Sequence, residues 1–169
     1  RRRQRQDVYK RQPWADKIQF RLGSGLSVLQ PGEATEIIIA GMGAETVLEI
    51  LDAAPWVRNE QYNFVFVPAT KHSVLRKGLA QRGFALKSET LCRAAGRLYT
   101  VINAQYTGRA AEPTGLACLC GKTQGQPEAQ AYREQQLVKL KKYRLGLAPG
   151  PQADGVDALI QEMEDGLWP

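Results

Sequence analysis

Cysteine and histidine are scarce in this chain, and their scarcity argues against a metal site. The 169 residues include three cysteines, Cys92, Cys118 and Cys120, and one histidine, His72. The cysteines are odd in number, and the Cys-x-Cys spacing lacks the two-residue spacer that is usual between zinc ligands. We therefore expect the protein to bind no metal.

Long apolar runs are also missing. Hydrophobic residues make up 43% of the chain, yet no segment approaches the roughly 20 consecutive apolar residues that a membrane-spanning helix needs. The amino-terminal region also has no apolar core of a secretory signal, so we expect a cytoplasmic protein without a membrane partner. Length and composition are typical of one globular domain with a small appendage.

Positive charge is in excess only at the amino terminus. The net charge is +6, and residues 1–12 contribute +5 of it. These residues have no helical or strand periodicity and resemble translated adapter sequence, so we predict that 1–12 is a non-native tail. The rest of the chain is nearly balanced, at +1. Net charge therefore gives no evidence for a nucleic-acid or membrane partner.

The most informative segment is an apolar strand that ends in a Gly-x-Gly turn. A strand is predicted at 36–40, and Gly41, Met42 and Gly43 follow it. Apolar residues then recur at i, i+3, i+4 and i+7 from Ala44 to Leu51, which predicts a helix. Open α/β sheets bind ligands at such turns, because glycine lets a ligand approach the backbone and the helix presents free N–H groups.

Further strands and one helix are predicted in the same part of the chain. The strands are 18–22, 63–67, 84–91 and 97–104. The helix spans about 71–82, with Val74, Leu75 and Leu79 on its buried face. Gly78 in its middle should cost about 1 kcal/mol relative to alanine. His72 lies at the helix start, and we expect it to be a surface or capping residue.

The last two strands favour one fold class. Alternating runs flank Arg93-Ala94-Ala95-Gly96, which predicts an antiparallel hairpin whose turn Gly96 permits. The chain is therefore an α/β protein with a partial Rossmann-like sheet that ends in an antiparallel hairpin. This arrangement is typical of class I S-adenosylmethionine-dependent methyltransferases. A dinucleotide-binding fingerprint at Gly41-x-Gly43 is the alternative, although Thr46 occupies its third small position.

The carboxyl-terminal part is predicted to be separate from this sheet. Residues 108–127 are rich in glycine, proline, threonine and glutamine, which predicts a linker. Residues 128–169 hold two apolar helical stripes around Pro149-Gly150-Pro151, which predicts a coiled-coil-like helical hairpin, with Asp154 capping the second helix. Four cations are candidate RNA-backbone contacts, and a solvated outer face is the alternative interpretation. They are Lys139, Lys141, Lys142 and Arg144.

Several segments resemble the bacterial tRNA adenine-N1 methyltransferase family of the TrmK type. The most specific of them is IIIAGMGA, at 37–44, and the others match in order and spacing. Those others are RLGSGL at 21–26, VLRK at 74–77 with RGF at 82–84, and GRLYTV at 96–101. The similarity covers Trp14 to Gly108 closely, and the terminal hairpin is similar in kind to the coiled-coil domain of that family.

The resemblance implies transfer of a methyl group from S-adenosylmethionine to N1 of adenine 22 in tRNA. It implies an active-site wall formed by Gly41, Met42 and Gly43, with no general base, because the N1 lone pair lies in the ring plane and is free to attack. It also implies a set of cofactor contacts. These are Gly23, Ser24, Gly25, Leu26 and Ala40.

The chain departs from the family pattern at several positions. Ser24 replaces an acid, Ala44 replaces a glycine, and Pro68 alone remains of a Leu-Gln-Pro-Met stretch. The first two strands of the fold, with the glycine-rich cofactor loop, have no counterpart, so we expect residues 13–107 to be the carboxyl-terminal part of a methyltransferase domain that binds cofactor poorly. A noncatalytic RNA-binding or scaffold protein derived from this fold is the alternative. The sequence does not specify the oligomeric state.

Overall fold

The computed structural model describes residues 17–169. The predicted tail at 1–12 lies outside this range. In chain order the elements are β1 (Glu36–Ala40), α1 (Ala44–Asp52), β2 (Asn63–Val67), α2 (His72–Gln81), β3 (Phe84–Ala94), β4 (Arg97–Tyr106), α3 (Gly115–Cys120), α4 (Ala129–Leu145) and α5 (Pro151–Glu164). A single 3₁₀ turn, Pro55–Val57, lies between α1 and β2.

The four strands form one mixed sheet in the order β1-β2-β4-β3. β1 and β2 are parallel, with Ile37 opposite Phe64, while β4 is antiparallel to both β2 and β3. The β3–β4 connection passes through Ala95 and Gly96, with φ values of 47° and 73°, and glycine adopts this left-handed region without strain. The predicted fold class, a parallel pair followed by an antiparallel hairpin, is confirmed.

The main core lies between one face of the sheet and the helices α1 and α2. Strand side chains alternate between the two faces, so Ile37 and Ile39 point into this core while Ile38, between them, is 69% exposed. Phe64 and Phe66 do the same on β2. The helices contribute Ala44, Val47, Leu48, Leu51, Leu75 and Leu79 to the same cluster. Burial of these apolar groups supplies most of the driving force for folding here.

Two predictions for this part of the chain are wrong. Residues 18–22 form no strand: Arg21 bonds the Val28 carbonyl at 2.8 Å and both Glu33 carboxylate oxygens, at 2.7 and 2.8 Å. These contacts fold the segment back on the loop that follows it. Val74, predicted to be buried, is 41% exposed, because the inner face of α2 is formed by Leu75, Arg76, Gly78 and Leu79.

The segment predicted as a linker contains a packed helix. Thr114 caps α3, its hydroxyl oxygen accepting the Ala117 N–H at 3.1 Å. Leu116 and Cys120 are buried in a second cluster with Leu140 and Met163. The linker prediction is corrected in this respect: a helix of six residues is too short for its apolar periodicity to stand out in a segment rich in turn-forming residues.

The predicted helical hairpin is present as α4 and α5, which pack against each other and against α3. Its second helix begins at Pro151 after Gly150, so Asp154 lies within the first turn and is not the cap that the sequence indicated. Arg133 of α4 donates to the carbonyl of Met163, in the last turn of α5, and to that of Leu167, just beyond the helix. It therefore joins α4 to the carboxyl-terminal end of α5, where the Met163 carbonyl also accepts the Gly166 N–H. No helix within residues 17–169 is both long and apolar enough to span a membrane.

Candidate functional site

The turn after β1 is an open backbone surface. Gly41 has φ 73°, and a Cβ placed on it would meet no atom within 4 Å. Ala40 and Gly41 are exposed, and Met42 is 39% exposed. A ligand can therefore contact the main chain here directly, as the sequence predicted for a glycine at the carboxyl end of a parallel strand.

The loop after β2 holds this turn in place. The Gly41 N–H donates to the Val67 carbonyl, and the Ala69 N–H donates to the Met42 carbonyl, each at 2.9 Å. Gly43 and Thr70 continue the contact as a parallel β-bridge. The two loops therefore form one hydrogen-bonded surface at the carboxyl edge of the sheet, with Pro68 buried beneath it and Ala69 exposed.

Charged groups flank this surface but do not lie within it. Glu45, in the first turn of α1, forms an ion pair with Lys71, which precedes α2. The Lys71 ammonium lowers the pKa of the Glu45 carboxyl below its usual value. Both side chains are exposed, so the ion pair contributes little to stability. The residues of the 40–43 turn have no ionisable side chain. The surface is suited to positioning a reactant and lacks a general base of its own.

Of the predicted cofactor contacts at 23–26, Gly25 lies apart from this surface. A Cβ on Gly25 would lie 2.9 Å from Ile50, near the far end of α1. Six residues of helix separate Ile50 from Ala44, a rise of about 9 Å. Leu26 is buried in the main core, while Gly23 and Ser24 are exposed. The Gly23–Leu26 turn is therefore packed, at Gly25, against the far end of α1.

The four candidate RNA-binding cations divide into two pairs. Lys141 forms an ion pair with Glu164 at 2.5 Å, and Arg144 forms one with Asp157 at 2.7 Å, so both link α4 to α5. Lys139 and Lys142 are exposed and make no ion pair within residues 17–169. Only this second pair is available to an external anion without breaking a contact inside the hairpin.

Sequence reasoning missed a buried polar cluster between the sheet and α4. Arg76 is 1% exposed and forms a bidentate ion pair with Glu89, with a closest N–O distance of 2.7 Å. The Tyr132 hydroxyl oxygen accepts a hydrogen bond from Arg76 Nη2 at 3.0 Å, and Nδ1 of half-buried His72 lies 3.2 Å from the same hydroxyl group. The expectation that His72 is a surface or capping residue is therefore wrong. No signal for burial existed, because charged residues in amphipathic elements are normally exposed.

Neither the cavity beside β3 nor the metal-ligating residue types provide an alternative site at this edge of the described part of the chain. A cavity of about 920 Å³ lies between β3, α3 and the 107–113 segment, and the Gly41–Gly43 turn does not line it. Among the described residues no group of three or more histidine, cysteine, aspartate or glutamate side chains is arranged to hold a metal ion.

The sheet order, the antiparallel hairpin and the glycine turn at the carboxyl edge together define a class I methyltransferase-like domain. The family described as "Methyltransferase domain" matches residues 2–102, so the chain belongs to that family. The match begins inside the segment 1–12, whose non-native origin stays a prediction.

More specific relatives are enzymes that modify tRNA. The tRNA (adenine(22)-N(1))-methyltransferase of Bacillus subtilis (strain 168) is 31% identical over 126 residues, which are 75% of this chain and 52% of the relative. The chain thus spans about half the length of this curated relative.

Solved structures of similar proteins share the fold. The B. subtilis m1A22 tRNA methyltransferase TrmK superposes with a TM-score of 0.64 at 22% identity, covering 86% of this chain and 65% of that one. Streptococcus pneumoniae Sp1610 in complex with S-adenosyl-L-methionine gives a TM-score of 0.66 at 18% identity, covering 86% and 66%.

Proposed function

We propose that this protein takes part in methyl transfer from S-adenosylmethionine to N1 of an adenine in tRNA, as its B. subtilis relative is named to do. The observation that carries the proposal is the hydrogen-bonded surface of Gly41–Gly43 and Ala69–Thr70, which is open to a ligand, glycine-lined and free of ionisable side chains. Membership of the methyltransferase family and the identity to the relative support it.

This surface fits the chemistry that N1 methylation requires. Adenine N1 carries a lone pair and no proton, so the new N–C bond forms as the S–C bond breaks, and the positive charge passes from sulfur to the adenine ring. No proton has to be removed before the attack. The task left to the protein is to hold the base and exclude water, which rigid backbone at a sheet edge does well.

The residues present fit the cofactor in part. S-adenosylmethionine would supply the activated methyl group, and Ala40 to Gly43 offer it or the base an open wall, since a Cβ on Gly41 would meet only empty space. Of the predicted contacts, Gly25 packs against Ile50 near the far end of α1, Gly23 and Ser24 are exposed, and Leu26 points into the core. We therefore assign the Gly41–Gly43 turn, and not the Gly23–Leu26 turn, to the site.

The helical hairpin supplies the surface for RNA under this proposal. Lys139 and Lys142 are exposed on α4 and are not neutralised by α5, so they can contact the phosphate backbone. Lys141 and Arg144 hold the hairpin together and are withdrawn from that role. Since tRNA is the proposed substrate, we place the protein in the cytoplasm.

A matched pair of glycine variants tests the site. Gly41 and Gly96 both have φ 73° and both face open space, but Gly96 lies in the β3–β4 turn. Alanine at either position should cost about 1 kcal/mol of backbone strain. We expect Gly41→Ala to lower methyl transfer at least tenfold, because its methyl group enters the reactant space. Gly96→Ala should change the rate less than twofold.

The assay uses the protein expressed from its complete gene, labelled S-adenosylmethionine and an unmodified tRNA transcript, with guanine in place of the target adenine as the substrate control. Equal rates of methyl transfer by Gly41→Ala and Gly96→Ala would show that the Gly41–Gly43 turn is not part of the active site. No transfer and no binding of S-adenosylhomocysteine by the folded protein would refute the enzyme and favour the noncatalytic RNA-binding or scaffold alternative.

A further inference from the structure

His72, the only histidine of the chain, lies where the candidate active-site loop meets the helical hairpin. It is the first residue of α2 and directly follows the Pro68–Lys71 loop. Its ring is stacked on that of Tyr132 from α4, with centroids 6.1 Å apart and planes 10° apart. One side chain thus contacts both the loop and α4.

The hydrogen bonds around Tyr132 fix the direction in which its proton points. The Arg76 Nη2 group donates to the Tyr132 hydroxyl oxygen at 3.0 Å. Arginine is a donor only, so the Tyr132 proton is free for another acceptor. His72 Nδ1 lies 3.2 Å from that hydroxyl group, and the Thr100 hydroxyl group lies 3.4 Å from the same nitrogen. Two partners remain for the Tyr132 proton, His72 Nδ1 and the Thr100 hydroxyl group, and an unprotonated imidazole nitrogen is the stronger acceptor, so we assign the proton to Nδ1.

The His72 ring also has a hydrogen-bond partner in the loop. Burial lowers the pKa of His72 to about 4, so the ring is neutral near pH 7. A neutral ring whose Nδ1 accepts a hydrogen bond carries its proton on Nε2. The Pro68 backbone, which has only a carbonyl to offer, is a hydrogen-bond partner of this ring. The next residue, Ala69, bonds to the Met42 carbonyl.

We propose that His72 is a positioning residue through which Tyr132 of the helical hairpin holds the Pro68–Lys71 loop against the Gly41–Gly43 turn. The connection runs from the Tyr132 hydroxyl group through the imidazole to Pro68, and from Ala69 to Met42. The inference rests on the proposed function, because that function makes this loop a wall of the target-base site. Binding of RNA to the hairpin would then act directly on the geometry of the wall.

The first test is a spectroscopic one on the unaltered protein. With a single histidine, the ¹⁵N shifts of the imidazole report its tautomer without ambiguity. We expect the Nε2–H tautomer at pH 7. Observation of the Nδ1–H tautomer would overturn the proposal, since Tyr132 could then not donate to Nδ1, and this result does not depend on any variant being able to fold.

The second test measures whether the connection reaches the loop. In Tyr132→Phe we expect hydrogen exchange of the Ala69 amide to be at least tenfold faster, while the Phe66 amide within β2 is unchanged. His72→Ala should give the same pattern. Leu91→Ala is the control, because it loosens the apolar contact of α4 with β3 but keeps the Tyr132 hydroxyl group. Unchanged Ala69 exchange in Tyr132→Phe would overturn the proposal.

Methyl transfer then separates this inference from the proposed function. If transfer occurs, Tyr132→Phe should lower kcat at least fivefold with an unchanged affinity for S-adenosylhomocysteine, which a general loss of stability would not produce. If transfer is absent but Ala69 exchange responds as expected, the loop is still held through His72 and only the proposed function fails.

Discussion

The buried ion pair of Arg76 and Glu89 connects four elements of this fold. Every Arg76 donor group is used: Nε and Nη2 by Glu89, Nη1 by the carbonyls of Cys118 and Leu119, and Nη2 also by Tyr132. A Cβ on Gly121 would come within 2.5 Å of both charged groups, so glycine is required for α3 to end against them. The pair ties α2, β3, α3 and α4 together.

Removing one charge of this pair should lower the free energy of unfolding more than removing both charges. In Glu89→Gln the guanidinium group stays buried without a counter-ion, and we expect the free energy of unfolding to fall by about 3–5 kcal/mol. The double variant Arg76→Met with Glu89→Leu should lose less, because it leaves no charge in the core. Urea unfolding followed by circular dichroism measures both.

The exposed Arg21–Glu33 pair provides the control for this prediction. Arg21 lowers the pKa of the Glu33 carboxyl to about 2, yet both groups are in contact with solvent. Glu33→Gln should therefore change stability much less than Glu89→Gln. If the two glutamine variants are equally stable, the buried pair does not have the role assigned to it.

At the scale of elements, local sequence patterns predicted most of the sheet and its helices. β1, β2 and α2 agree with their predicted bounds to within a residue, because the two strands are short apolar runs followed by glycine or proline and the helix is followed closely by Gly83. The same glycine signal located the Gly41–Gly43 turn. What local patterns could not show was the position of Gly23–Leu26, which is decided by packing against α1.

A β-bulge explains why the inward face of β3 was not predictable. Leu86 pairs with Ala104 and Ser88 with Asn103, so Lys87 is an extra residue in β3. One extra residue exchanges the two faces of a strand. Glu89 and Leu91 therefore point into the core, whereas uninterrupted alternation from Phe84 would have placed them outside. The buried glutamate was hidden from sequence reasoning for this reason.

Gly78 is needed for the packing of α2 on α1, which reverses its expected effect on stability. A Cβ there would lie 2.4 Å from Leu48 Cδ1. Gly78→Ala should therefore lower the free energy of unfolding by about 1–3 kcal/mol through overpacking, despite the better helix propensity of alanine. In a Leu48→Ala background the clash is absent, and the same change should be stabilising by up to about 1 kcal/mol.

Thermal or urea unfolding of the unaltered protein, the two single variants and the double variant shows whether Gly78→Ala raises or lowers stability in each background. If Gly78→Ala is stabilising in both backgrounds, Leu48 moves aside at no cost and close packing is not the reason for the glycine.

In the whole molecule, the hairpin is joined to the sheet by polar contacts from residues far apart in sequence. The Gln126 side chain accepts the Leu91 N–H and donates to the Glu89 carbonyl, each at 2.8 Å, and so occupies the outer edge of β3 as another strand would. Arg93 and Glu128 add an ion pair at the same edge. Composition suggested a linker here because it reports turn-forming residues and not the tertiary contacts that they make.

The distribution of charge on the hairpin determines which of its side chains can bind RNA phosphates. If Lys139 and Lys142 contact phosphates, Lys139→Ala with Lys142→Ala should weaken binding to a tRNA transcript and reduce the slope of log K against log salt by about 1–2. Fluorescence anisotropy of labelled tRNA over a range of salt concentrations measures this slope. Lys87→Ala, an exposed cation on β3, is the control and should leave it unchanged.

Lys141→Ala should behave differently from its neighbours on the same helix. It breaks the ion pair with Glu164, so we expect a less stable hairpin with little direct change in the salt slope. A slope reduced equally by Lys141→Ala and by the double variant would mean that RNA displaces Glu164 and uses the whole basic face. An unchanged slope in the double variant would mean that α4 presents an ordinary solvated surface, with RNA binding elsewhere or not at all.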